Sequence, residues 1–238
     1  VINEIMPCNV STLLNDYYNY TGWLELYNSG EADVNLKGYE FRNITGSKNK
    51  LKWAWKIEDS VVVKAGKYKV IFFDEEKGKS KTHAPYKIDS DGGTLVLLDG
   101  KGNEAHSLIY KAQESGYSFG LSGSDKNYML PTPGEKNSGC YSNFCALPKF
   151  NGAAPGTYNS KSEVGAVTLY CVTRDARIYY TLDGSEPDIN DTLNTFLYSG
   201  EIKLNEEGNT VIRARSYRDD ALPSKIVTGS FIFADEGF

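Results

Sequence analysis

Five carboxylates crowd one short stretch of this chain. Asp183, Glu186, Asp188 and Asp191 fall within Ile178–Thr192 (IYYTLDGSEPDINDT), and Asp175 stands just upstream. Oxygen ligands at this density can hold a hard cation such as calcium. The order of residues argues against it, because a calcium loop sets D-x-[DN]-x-[DN]-G ahead of a distal Glu. Ile178, Tyr180 and Leu182 alternate with Tyr179 and Thr181, so a half-buried strand runs directly into the turn dipeptide Asp183-Gly184. Pro187 fixes φ and lacks a donor, which suits a loop or edge. Asp183 and Ser185 can bond nearby backbone amides as such turns do. The stretch reads as a turn rather than a metal site.

Nucleophilic chemistry would need Ser or Cys beside a base. The chain has two histidines: His83 in KTHAPY, expected in a loop, and His106 in NEAHSLIY, expected in a strand. His106 and Ser107 are adjacent and so project to opposite faces of a strand. Neither a G-x-S-x-G elbow nor a phosphate-cradling glycine loop occurs. Asp and Glu are plentiful enough for a glycosidase pair, but no spacing singles one out. The sequence therefore nominates no catalytic, cofactor-binding or metal residue, and no cofactor. Of the four cysteines, Cys140 and Cys145 in GCYSNFC can close a small loop in an oxidising compartment; otherwise Cys8, Cys140, Cys145 and Cys171 are free thiols. A zinc site would need a second close pair or a nearby histidine, and has neither.

Two further stretches mix residue types that can recognise ligands. KNKLKWAWKI (48–57) interleaves lysines with Trp53 and Trp55, a composition able to grip a polyanion or stack on a sugar. On a strand, however, Leu51, Trp53, Trp55 and Ile57 share one face and Lys50, Lys52, Ala54 and Lys56 the other, which also describes a core under a solvated face. In VIRARSYRDD, Arg213 and Arg215 oppose Ile212, Ala214 and Ser216. They read as an outer face paired with carboxylates, or as a docking surface.

Strands must position all of these. Tyr (17) and Gly (23) are abundant among 238 residues of which 40% are hydrophobic, the pattern of an ordered β protein. Expected strands are Ile2–Met6, 23–27, 36–41, 51–57, Tyr68–Phe73, 94–98, 105–110 and 117–121. A second set covers 167–173, 177–182, 201–204, Thr210–Tyr217 and 226–233. Turn signals separate them at roughly ten-residue spacing. The best helical candidate, Val10–Tyr18, is short enough to be an irregular insertion instead. PTPG at 131–134 and a Gly/Pro/Asn-rich stretch mark a boundary. The expected organisation is all-β: sandwiches at 1–137 and 158–238 joined by a linker at 138–157. A net charge of −5 disfavours nucleic acid, and no apolar run reaches the roughly 18 residues of a membrane helix.

The residues INEIMPCN (2–9), GWLELYNSGEADVNLKGYEF (22–41), VVKAGKYKVIF (62–72), GGTLVLLDGKGNEAHSLIY (92–110) and LPTPGEKN (130–137) resemble the lamin-tail domain. That resemblance implies an immunoglobulin-like sandwich. Val10–Thr21 is longer and more aromatic than the linker usual after the first strand. GTYNSKSEVGAVTLYC (156–171), ARIYYTLDGSEPD (176–188), LYSGEIKL (197–204) and TVIRARSYRDDALPSKIV (210–227) resemble the domain at the C-terminal end of chitobiases and related β-hexosaminidases. This Fn3-associated type of domain recurs beside CotH-type kinase-like domains in bacterial surface proteins. In the chitobiases and β-hexosaminidases it is an accessory sandwich while another domain performs the chemistry.

Together the resemblances imply a non-catalytic interaction or scaffold segment of a bacterial secreted, periplasmic or cell-surface protein, with a protein or glycan partner. A carbohydrate-binding module is the main alternative, and it requires Trp53, Trp55, Tyr179 or neighbouring tyrosines to lie exposed in a row. An enzyme of unknown class ranks behind both.

Overall fold

The structure, a computed structural model, describes residues 1–46, 50–75, 80–123, 125–204 and 209–233. It is built of strands; among the described residues the one helical segment is a single 3₁₀ turn, Lys161–Glu163. The chain divides into two compact units, Val1–Cys140 and Tyr141–Phe238.

In the first unit the strands are β1 (Ile2–Met6), β2 (Gly22–Tyr27), β3 (Val34–Asn35), β4 (Glu40–Thr45), β5 (Lys50–Lys56) and β6 (Val62–Val63). Then come β7 (Tyr68–Phe73), β8 (His83–Ala84), β9 (Gly93–Leu98), β10 (Glu104–Tyr110), β11 (Ser118–Ser122) and β12 (Asp125–Met129). One sheet runs β12-β11-β1-β2-β7-β8 and the other β10-β9-β4-β5, with β3 and β6 as a separate ribbon. Register explains the core. Phe119, Ile5, Leu24 and Ile71 are cross-strand partners in one row, so all four side chains face the same way. Beside that row Phe73 meets Phe41 and Trp55 of the second sheet edge-on, with ring centroids 6.0 and 6.1 Å apart. Phe41, Phe73 and Phe119 are almost wholly buried, and each such side chain stabilises by about 2–3 kcal/mol relative to exposure.

The second unit contains β13 (Lys149–Gly152), β14 (Gly156–Tyr158), β15 (Val167–Tyr170), β16 (Arg177–Thr181), β17 (Phe196–Leu197), β18 (Thr210–Tyr217) and β19 (Val227–Phe233). Five strands run in the order β14-β19-β18-β16-β17, and β13 pairs with β15. Val167, Leu169, Ile178, Ile202, Ile212, Ala214 and Phe231 form the core, with Phe150 packed against it. A Cβ on Gly229 would stand 2.5 Å from the Phe150 ring, so this glycine lets the two layers close. Each unit is a β-sandwich, the first immunoglobulin-like.

Several strand expectations shift. The strand placed at 36–41 begins at Glu40, because Gly38 (φ 87) makes a turn closed by Tyr39 N donating to Leu36 O at 2.9 Å. Leu36 is buried all the same, from a loop. The stretch 201–204 contributes only a bridge from Ile202 to Val167. Val10–Tyr18 is irregular and not a helix. Part of the expected linker is strand: β13 and the start of β14 lie inside 138–157, and their Gly and Pro residues serve the turn between them. Gly152 has φ 83, and a Cβ there would stand 2.3 Å from Ala166 O.

Candidate functional site

The insertion between β1 and β2 carries the densest set of exposed apolar side chains on the first unit: Val10, Leu14, Tyr17, Tyr18 and Tyr20. Its backbone is nonetheless fixed from below by two buried asparagines. Asn9 Nδ2 donates to Leu13 O (2.6 Å) and Thr21 O (2.9 Å), while its Oδ1 accepts from Thr12 N at 3.1 Å. Asn15 Oδ1 accepts from Tyr17 N and Asn19 N at 2.9 and 3.0 Å. Leu14 and Tyr20 form a bridge, so residues 15–19 are a closed turn. At its tip Tyr18 is 86% exposed and held at φ 60. A bulky residue in the left-handed region costs of order 1–3 kcal/mol and persists only where its surroundings impose it. Here Tyr18 N donates to Asn15 O at 3.0 Å.

Beneath the turn lies His83, whose side chain has no exposed surface. It falls in β8, not in the loop expected from KTHAPY. His83 Nδ1 is 2.5 Å from Asp74 Oδ2, Nε2 faces Asp16 Oδ2 at 3.5 Å, and Asn15 Nδ2 donates to Asp74 Oδ2 at 3.1 Å. Tyr17 meets the imidazole edge-on at 5.4 Å and Phe72 lies 5.2 Å away. On the sheet beneath, Met6, Trp23 and Phe72 pack with Leu13 of the insertion. A polar anchor and an apolar one thus hold an aromatic tip in one shape.

A second polar cluster escaped the sequence reading. Glu4 and Glu25 face each other across β1 and β2, and neither has exposed surface. Thr132 N donates to Glu4 Oε1 at 3.0 Å, Gly134 N to Glu25 Oε2 at 2.5 Å, and Asn3 Nδ2 to Glu25 Oε1 at 2.9 Å. Asn137 ties the same cluster down, donating to Asn3 O (3.0 Å) and Leu121 O (2.7 Å). Burial pushes the Glu4 carboxyl up, and pushes Glu25 up to about 7 with the Glu4 charge adding to it. Paired carboxylates with raised pKa are general-acid material, but these two have no exposed surface and accept from Thr132 and Gly134 as well as from Asn3. They latch residues 132–137 onto the sheet.

The acidic stretch of the second unit is made of turns, as its sequence order suggested. Asp183 Oδ1 accepts from Ser185 N (2.9 Å) and Oγ (2.6 Å), Asp188 Oδ1 from Asn190 N (2.9 Å), and Asp191 Oδ1 from Leu193 N (3.0 Å). Glu186 pairs with Arg213 at 3.1 Å, Arg174 reaches Asp175 at 3.4 Å, and Gly184 has φ 81. Among the described residues no group of three His, Cys, Asp or Glu side chains is arranged to hold a metal ion.

The other stretches resolve similarly. Trp53 is buried, donates Nε1–H to Lys87 O at 2.8 Å and stacks on Tyr86, while half-buried Trp55 stacks on Phe41. Lys50, Lys52 and Lys56 are exposed, and Lys52 pairs with Asp89 at 2.6 Å; Lys48 lies outside the described residues. Leu51, expected on the tryptophan face, is half exposed because the register shifts between Asn43 and Ile44. Tyr179 is half-buried edge-on to Tyr217, whose hydroxyl donates to Pro187 O. No exposed row of these rings exists. Arg213 pairs with Glu186 as noted, and Arg215 Nε donates to Ser224 O at 2.5 Å. His106 sits at a bulge in β10, its Nδ1 accepting from Ile2 N at 3.2 Å, and burial lowers its pKa. All four cysteines are free thiols, including Cys140 and Cys145.

Each unit is thus a β-sandwich whose sequence-nominated polar groups are largely engaged in internal bonds. Comparison with protein families places the units further. Residues 1–112 match the Lamin Tail Domain and residues 167–231 match the family described as Fn3 associated. The two matches follow one another in the order that their motifs implied. No curated protein and no solved structure matches the chain.

Proposed function

We propose that this chain is an interaction and scaffold segment of a bacterial extracytoplasmic protein, and that the insertion at Val10–Tyr20 is its contact surface for a protein partner. The observation that carries this reading is the rigid aromatic tip. Tyrosine supplies large contact area at little cost in side-chain entropy, and a turn already fixed pays little to order on binding. The strain at Tyr18 fits a surface held ready for use. The placement outside the cytoplasm rests on the company that such domains keep in bacterial surface proteins. A glycan partner loses its main support because Trp53 is buried and Trp55 is half-buried against Phe41.

A photo-crosslinking residue at position 18 of the intact gene product, expressed in its own cells, tests the reading. Adducts to a specific protein should form from position 18 and not from exposed Ile109 on β10, and Val10→Ser should weaken them. Adducts equal at both positions, or none from position 18, would overturn it. Protease shaving of whole cells checks the location.

A further inference from the structure

The segment that opens the second unit, residues 141–147, has no long ladder to hold it. Asn143 O accepts from Leu222 N at 3.0 Å and Cys145 N donates to Leu222 O at 2.8 Å, a parallel bridge of minimal length. Its other side touches the chain just after β15. Ala146 N donates to Thr173 Oγ1 at 2.7 Å, and Cys171 Sγ donates to Ala146 O at 3.2 Å. Both hydrogen-bonding groups of Ala146 are therefore bound by side chains from residues 171–173, and the thiol of Cys171 lies against the residue next to Cys145. Cys145 and Cys171 are the two cysteines of this unit; Cys8 and Cys140 belong to the first.

We propose that Cys145 and Cys171 form a disulfide that staples residues 141–147 to the end of β15, and that the sequence-adjacent pair Cys140–Cys145 does not. Burial pushes the Cys145 thiol up, with the neighbouring Cys171 adding to the effect. Cys145 is buried whereas Cys171 is partly accessible. Cys171 is accordingly the first to react, since a thiolate must reach the oxidant. With a small disulfide such as oxidised glutathione, the Cys171 thiolate attacks one sulfur and releases one glutathione thiolate. The deprotonated Cys145 then attacks Cys171 Sγ and releases the second. Two protein thiols are oxidised, one disulfide is reduced to two thiols, and the two protons pass to the departing thiolates.

Full-length chain treated with oxidised glutathione, alkylated in denaturant and mapped under non-reducing conditions decides the matter. Free thiols should fall from four to two, with one linked peptide joining Cys145 to Cys171. Cys140→Ser should leave that peptide unchanged. The link closes a loop of 26 residues' separation, shifted by one, and should raise the melting temperature of the second unit by more than about 5 °C. Four remaining thiols, or a linked peptide joining Cys140 or Cys8 to Cys145, would overturn the proposal. The wild-type map gives this answer even where Cys171→Ser fails to fold.

Discussion

The two units hold their carboxylates in opposite ways. In the second, Asp183, Asp188 and Asp191 are dense in sequence, exposed or, for Asp191, half-exposed, and each bonded to amides two or three residues away. In the first, Glu4 and Glu25 are far apart in sequence, wholly buried, and bonded to donors more than a hundred residues distant, at Thr132 and Gly134. Local density marks turns. Distance and burial mark the place where acid groups are energetically consequential, because a buried carboxylate must be compensated or protonated.

The sharpest way to break that comparison is to delete a buried member. Glu25→Ala strands Gly134 N without an acceptor and leaves Asn3 Nδ2 with Asn137 Oδ1 alone, at 2.9 Å, and should cost about 3 kcal/mol. Tryptophan fluorescence in a denaturant titration reads this cleanly, since Trp23, Trp53 and Trp55 all lie in the first unit. A loss below about 1 kcal/mol would show that the latch is dispensable. Gly120 is the register partner of Glu4 and tests the same cluster sterically. A Cβ there would stand 2.4 Å from Asn3 O and 2.9 Å from Asn137 Nδ2. Gly120→Ala should therefore destabilise by about 2–3 kcal/mol, and an unchanged midpoint would mean the row opens without cost.

The pH response should have opposite sign in the two units. Glu25 has its folded pKa raised from 4.5 to about 7. The folded state then binds more protons than the unfolded one between those values, and stability falls as pH rises through that window. The first unit should lose on the order of 2–3 kcal/mol from pH 4.5 to 7.5, and Glu25→Gln should flatten the slope. A slope that survives in the variant would place the titration elsewhere, with Glu4 next in line because burial raises it as well.

What could be read in advance follows the same division between local and distant causes. TVIRARSY alternates strictly, and in β18 its alternate residues are buried, because both neighbours of that strand are supplied by nearby chain. The turn at Asp183-Gly184 needed only its own residues. By contrast β12, DKNYM, has no apolar alternation; it forms by pairing with β11 at a sheet edge. The face of β2 bearing Trp23 and Glu25 was recognisable from the pleat, but not its burial, since what covers it arrives from the insertion and from residues 132–137. The proximity of Cys171 to the segment bearing Cys145 was equally hidden, whereas Cys140 was conspicuous by adjacency alone. Side chains brought together by topology leave no spacing to detect.

The smallest effects belong to the exposed acids, and their smallness is informative. Hydrogen bonds from Ser185 hold the Asp183 carboxyl below the usual range, and those from Asn194 and Leu193 do so for Asp191. Their contribution is thus present at neutral pH and fades as pH falls below about 4, the reverse of the buried pair. Asp183→Ala should move the calorimetric melting temperature of the second unit by less than about 2 °C, since such surface changes seldom matter more. Millimolar calcium should leave that temperature unchanged in both proteins. A calcium-dependent rise in the wild type that Asp183→Ala abolishes would mean that the turn oxygens converge on a cation after all, and local density would regain the meaning that the contrast between the units denies it.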